Sequence, residues 1–153
     1  MSNRIIPELY EKYIKGTEKQ AIVQDVSVVL CNLTYAVILG IEVKCNRVYV
    51  STRVLKHIYD KRPAEEFDFL IENIHSVVKY PKQVYLNRGG KKGNFCFVSE
   101  LKNRKYICSV EVKKDESNKH THCEVVTFFR IQKENYLENY ELLWEWKGGK
   151  PSS

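Results

Sequence analysis

The sequence predicts an α+β domain in which N-terminal helices precede a twisted antiparallel β-sheet. Three observations carry this. Apolar residues recur at helical spacing in residues 7–20 and again between Thr52 and Val78. Residues 83–131 then break into short β-prone runs separated by Gly-, Asn- and Lys-rich turns. Helices followed by consecutive strands mark α+β organisation, not a strand–helix alternation. Residues 1–147 read as one domain and 148–153 as a disordered tail.

The elements follow in order. Pro7 suits the opening turn of a first helix over 7–20, with Leu9, Tyr10, Tyr13 and Ile14 on one stripe and Gly16 a possible early end. Residues 21–51 are rich in Val and Ile and read as strands, with Lys44-Cys-Asn-Arg47 as a turn; 24–33 fits a buried helix equally. Thr52 can cap a short helix reaching Arg62, which Pro63 stops. A longer helix runs from Pro63 to Val78, where Phe67, Leu70, Ile71, Ile74 and Val78 share a face, and Glu65, Glu66 and Asp68 suit the positive end of its dipole. His75 lies near its C-terminal end as a structural or dipole-compensating residue, not a catalyst. Strands are expected at 83–87, 94–101, 106–112 and 124–131. Residues 136–147 read as a short helix ending in a strand.

Composition bounds the function classes. The chain has 153 residues and a net charge of +6, which leans towards a polyanionic partner. The apolar run from Val26 to Ile41 is too short and too interrupted by Ser27, Asn32 and Thr34 to span a bilayer. The N-terminus lacks the apolar core of a signal peptide. The five cysteines are odd in number and lack CxxC spacing, so reduced thiols in a cytoplasmic protein are expected.

Several groups can carry chemistry. His57 lies amid Arg53, Lys56, Lys61 and Arg62; it is either a solvated surface histidine or a general acid or base working beside phosphate. The loop Arg88-Gly-Gly-Lys91-Lys92-Gly-Asn94 joins free backbone N–H groups to positive charge, although the spacing is not that of a P-loop. Its alternative is a solvated hairpin turn. Thr127 and Arg130 lie in one strand but point to opposite faces, so both line one site only if a bulge intervenes or Arg130 ends the strand. His120-Thr-His122-Cys123 lacks a second ligand cluster, and no DxD or HExxH pattern is present. Tyr85, Tyr106, Phe95, Phe97, Trp144 and Trp146 lie near basic turns and could stack bases, or simply fill a core.

The order of these features resembles the phage and mobile-element nucleases of the barnase–EndoU–colicin–RelE superfamily. The residues that carry the resemblance are Val54-Leu-Lys-His-Ile-Tyr-Asp-Lys-Arg62, Val84-Tyr-Leu-Asn87, the glycine loop, Tyr-Ile-Cys-Ser-Val-Glu111, Val-Val-Thr-Phe-Phe-Arg130 and Leu-Leu-Trp144. It covers about residues 52–147. It implies a metal-independent endoribonuclease toxin-like domain, with no cofactor, that acts on RNA (tRNA included) by 2′-hydroxyl attack. The implied catalytic positions are His57, Lys92, Thr127 and Arg130; Lys56, Arg62, Arg88, Lys91 and Trp144 would bind substrate. The Lys56-His57 pair resembles the lysine-flanked histidine of colicin-type tRNases. An inhibitor or immunity protein, and delivery into a target cell, are compatible with it. The alternative is a non-catalytic module that binds nucleic acid or protein.

Overall fold

The computed structural model describes residues 4–87, 94–114 and 121–147. It is α+β: helix α1 (Ile5–Tyr13), strand β1 (Ser27–Asn32), helix α2 (Tyr35–Ile41), strand β2 (Arg47–Ser51), and helices α3 (Thr52–Lys61) and α4 (Ala64–Lys79) come first. Strands β3 (Gln83–Leu86), β4 (Phe95–Leu101), β5 (Arg104–Lys114), β6 (Thr121–Arg130) and β7 (Glu141–Glu145) complete it. The helices are thus interleaved with two strands and do not simply precede the sheet. None of the described helices is long and apolar enough to cross a membrane.

All strands join one seven-stranded sheet in the order β1-β2-β6-β5-β4-β3-β7. Every ladder is antiparallel except β2–β6, where Val48 faces Cys123 and Tyr49 faces Glu124. Helix α4 packs against β1, β4, β5 and β6. Its inward stripe of Phe67, Leu70, Ile71, Ile74, Val77 and Val78 is buried, at helical spacing as the sequence implies. The sheet curls around this helix until α2, which follows β1 at one edge, touches β7 at the other. Phe97, Cys108, Val110, Val125 and Phe128 belong to this main core. On the opposite face Cys96, Val98 and Ile107 form a smaller core under Phe129, Ile131, Tyr136, Leu137 and Tyr140.

The structure differs from expectation at several points. Residues 35–41 form a helix, not a strand, because Thr34 Oγ1 accepts the Val37 N–H and caps it. Helix α3 is capped by Ser51, whose Oγ accepts the Val54 N–H. Thr52, expected as that cap, is fully buried: its hydroxyl donates to the Gln24 carbonyl and accepts the Val26 N–H, fastening the segment before β1. Residues 134–139 form turns, not a helix, before β7. Cys45 and Cys123 are disulfide-bonded, where reduced thiols were expected. The reason is topological: the β2–β6 ladder holds Cys123 beside Val48, three positions beyond Cys45. Cys31, Cys96 and Cys108 are buried free thiols, and burial pushes the pKa of each upward, Cys31 to about 11. The expected tail, 148–153, lies outside the described residues.

Candidate nucleic-acid interface

Two neighbouring regions gather basic side chains. The first is the free flank of β6. β2 pairs with only the first half of β6 and then runs directly into α3, which packs along the rest of β6. Because β2 and β6 are parallel, α3 continues in the direction of β6. At about 1.5 Å rise per helix residue and about 3.3 Å per strand residue, His57 stands about level with Phe128, and Arg62 near the end of β6. The Arg62 guanidinium indeed lies 5.4 Å from the centroid of the Phe129 ring, a cation–π contact. Arg53, His57 and Lys61 are exposed at four-residue intervals, one basic stripe on the outward side of α3.

Thr127 and Arg130 behave as the strand geometry demands. The β5–β6 ladder shifts register between Ser109 and Val110, and the extra residue is Val126. This bulge precedes both Thr127 and Arg130, so it does not turn them to one face. Thr127 pairs with Ser109, whose hydroxyl lies 3.8 Å from Cys96 Sγ, and so it stands on the smaller-core face. Arg130 is the last residue of β6 and reaches the rim of that face from the strand end.

The second region is an open groove at this end of the sheet, with a volume of about 780 Å³. Tyr85, Ile131 and Leu137 form its apolar floor. Arg104, Lys105, Arg130 and Lys133 bring four positive charges to it and Glu134 one negative charge. Among the described residues none of these four cations forms an ion pair with a carboxylate. The Tyr85 hydroxyl donates to Gln83 Oε1 at 3.1 Å, and Gln83 Nε2 donates to Glu145 at 2.6 Å. Burial, and then the Glu145 charge, raise the Tyr85 pKa, so the phenol stays protonated. The sequence names Tyr85 as an aromatic near basic turns; only the fold brings it, with Arg104 and Lys105, to the end of β6.

Two expected binding residues are engaged in structure. Lys56 is 5 % exposed. Its Nζ donates at 2.6 Å both to the Glu18 carbonyl and to Asp60 Oδ1, an inward-facing pair that leaves no charge for substrate. Trp144 sits on Gly40 of α2, where a Cβ would fall 2.2 Å from its Cδ1. It packs against the main core, on the face away from Thr127. Neither position presents a binding side chain to the interface.

Arg88, Lys91 and Lys92 lie outside the described residues. The strand ends that flank them can be placed: Leu86 pairs with Phe95, and Phe95 with Val110, whereas Arg130 pairs with Tyr106. The root of the glycine loop is therefore about 13 Å along the strand direction from Arg130. His122 is near that same root, edge-on to Tyr49 and 3.5 Å from Glu124. No group of three His, Cys, Asp or Glu side chains among the described residues could hold a metal ion.

No family model matches this chain, no curated protein does, and no solved structure does.

Proposed function

We propose that the protein engages RNA along the β6 flank and cleaves it there without a metal, as a member of the barnase–EndoU–colicin–RelE superfamily with a fold of that kind. The observation that carries this reading is the placement of Arg62 over Phe129, in the strand that also carries Thr127 and Arg130, with the His57 helix packed on the same strand. The reaction is attack by the 2′-hydroxyl on the adjacent phosphorus, with loss of the 5′-oxygen and formation of a 2′,3′-cyclic phosphate. His57 serves as the base or acid, since an imidazole changes charge near neutrality. Arg62 and Arg130 offset the charge that develops on the phosphorane oxygens, and Thr127 hydrogen-bonds a phosphate oxygen. Loss of one such donor lowers the rate by about a hundredfold or more.

A second reading, binding without cleavage, is favoured by the outward position of His57 and by the cations of the groove, which form no ion pair among the described residues. Incubation of the protein with total RNA in EDTA separates the two. Fragments ending in cyclic phosphate, absent with His57→Ala, are the expected result. RNA that stays intact but shifts in a gel, with salt-sensitive affinity, establishes the second reading. Cleavage that survives in folded His57→Ala refutes the assignment of His57.

A further inference from the structure

We infer that the groove between the β4–β5 turn and the end of β6 is a nucleotide pocket, taking one nucleoside monophosphate unit, that adjoins the proposed cleavage site and shares Arg130 with it. The groove holds about 780 Å³, within the size range of small-molecule sites. Its two surfaces differ in a way that matches the two ends of a nucleotide. Tyr85 and Leu137 give the floor an aromatic ring and an aliphatic side chain, a platform for a base. Arg104 and Lys105 rise from the hairpin turn on one side, and Arg130 and Lys133 from the end of β6 on the other. These four face a single carboxylate, Glu134, so the rim keeps an excess of positive charge.

The turn itself is rigidly made. Lys102 and Asn103 both have left-handed backbone, with φ of 50° and 65°, as a two-residue hairpin turn of the primed kind needs. Leu101 and Arg104 pair across it, and the Ile131 N–H donates to the Lys105 carbonyl at 2.8 Å. That bond ties the backbones of the two walls together. The hydrogen bond from Tyr85 to Gln83 fixes the phenol and with it the ring plane on the floor. An inorganic anion would use the rim alone; only a ligand that joins an anion to a flat ring uses both surfaces.

Isothermal titration of the full chain with adenosine 5′-monophosphate, inorganic phosphate and a short oligoribonucleotide tests this. The monophosphate should bind at least about tenfold more tightly than phosphate. The Arg104→Ala/Lys105→Ala variant and Tyr85→Leu should each weaken it by about tenfold, while Tyr85→Phe keeps most of the affinity. Should Tyr85→Leu fail to fold, Leu137→Ala tests the floor. Equal affinity for the monophosphate and the oligoribonucleotide identifies a free nucleotide as the ligand; much tighter binding of the oligoribonucleotide, lost in the same variants, identifies a unit of an RNA chain. Binding of phosphate as tight as that of the monophosphate, no binding of any probe, or affinity indifferent to the variants overturns the inference. The readout is independent of cleavage. RNA left intact with monophosphate binding retained counts against the nuclease reading alone, and cleavage without monophosphate binding counts against this one alone.

Discussion

Lys56→Met should cost about 3 kcal/mol of stability and leave RNA binding unchanged in the protein that remains folded. The magnitude comes from the surroundings of the ammonium. The Lys56 and Asp60 side chains are only 6 % and 13 % exposed. Nζ makes two hydrogen bonds of 2.6 Å, and Asp60 Oδ2 accepts the Gln20 N–H at 2.9 Å. Methionine fills the space of the aliphatic stem but leaves a nearly buried carboxylate with one N–H and the Glu18 carbonyl with only the Ala21 N–H. Breaking a buried pair from one side costs about 3–5 kcal/mol, and the residual exposure of Asp60 places this case at the lower end. For a chain of this length that corresponds to a fall of about 6–12 °C in Tm. Lys56→Met/Asp60→Leu should recover much of the loss, because no charge is then stranded. Burial alone would raise the Asp60 pKa, but the Lys56 ammonium and the Gln20 N–H outweigh it and hold it below its usual value. A depressed carboxylate stabilises the fold above its unfolded pKa of about 3.9 and ceases to as pH falls through the lower folded value. The pair therefore contributes fully at neutral pH and fails only below about pH 4. Urea denaturation of the wild type, Lys56→Met, Asp60→Leu and the double variant measures the coupling. Strictly additive single losses would refute the clamp, and a stable Lys56→Met that no longer binds RNA would return Lys56 to the interface.

Two further outcomes follow from the packing. Gly40→Ala should destabilise the protein even though alanine gains about 1 kcal/mol of helix propensity there, since its Cβ meets the Trp144 ring at 2.2 Å; Trp144→Leu in the same chain should restore part of the loss in a thermal melt, and a more stable Gly40→Ala would contradict the contact. Reduction of Cys45–Cys123, or Cys45→Ala/Cys123→Ala, should lower stability by about 2–4 kcal/mol, because the bond closes a loop with a sequence separation of 78 residues; denaturation curves that coincide with and without reductant would show that the bond does not form.

Legibility in the sequence varied with the range of the forces involved. Helix α4 was plain because its face is self-contained: five apolar residues at helical spacing, acidic residues in the first turns and a proline beyond the end. The β3–β6 meander was plain for a similar reason, its turns being local. Helix α2 was not, because Tyr-Ala-Val-Ile-Leu-Gly-Ile has β-prone residues and no polar face; Thr34 and contact with β7 decide it. The cysteine pairing depends on a ladder between strands far apart in the chain, which no spacing rule expresses. Among the basic side chains near the end of β6, Arg62 and Arg130 are named by local pattern, whereas Arg104, Lys105 and Lys133 come to the groove beside Arg130 only through the fold. Lys56 is drawn into the fold, and a signal for that was present: Asp60 follows four residues later, the spacing of a helical ion pair. Trp144 resembled a stacking platform because aromatic side chains look alike in a sequence whether they face solvent or Gly40.

The single parallel ladder has a consequence for how the chain is made. β2 meets β6 through Val48 and Cys123, some 75 positions apart. At translation rates of about 5–20 residues per second, the partner for this side of β2 is synthesised about 4–15 s later. During that interval β1 and β2 can form only a two-stranded ribbon, which is marginal by itself. Helices α3 and α4 emerge next and can cover its apolar face before the meander is complete. Until β6 arrives, the sheet cannot run continuously from β2 into the meander.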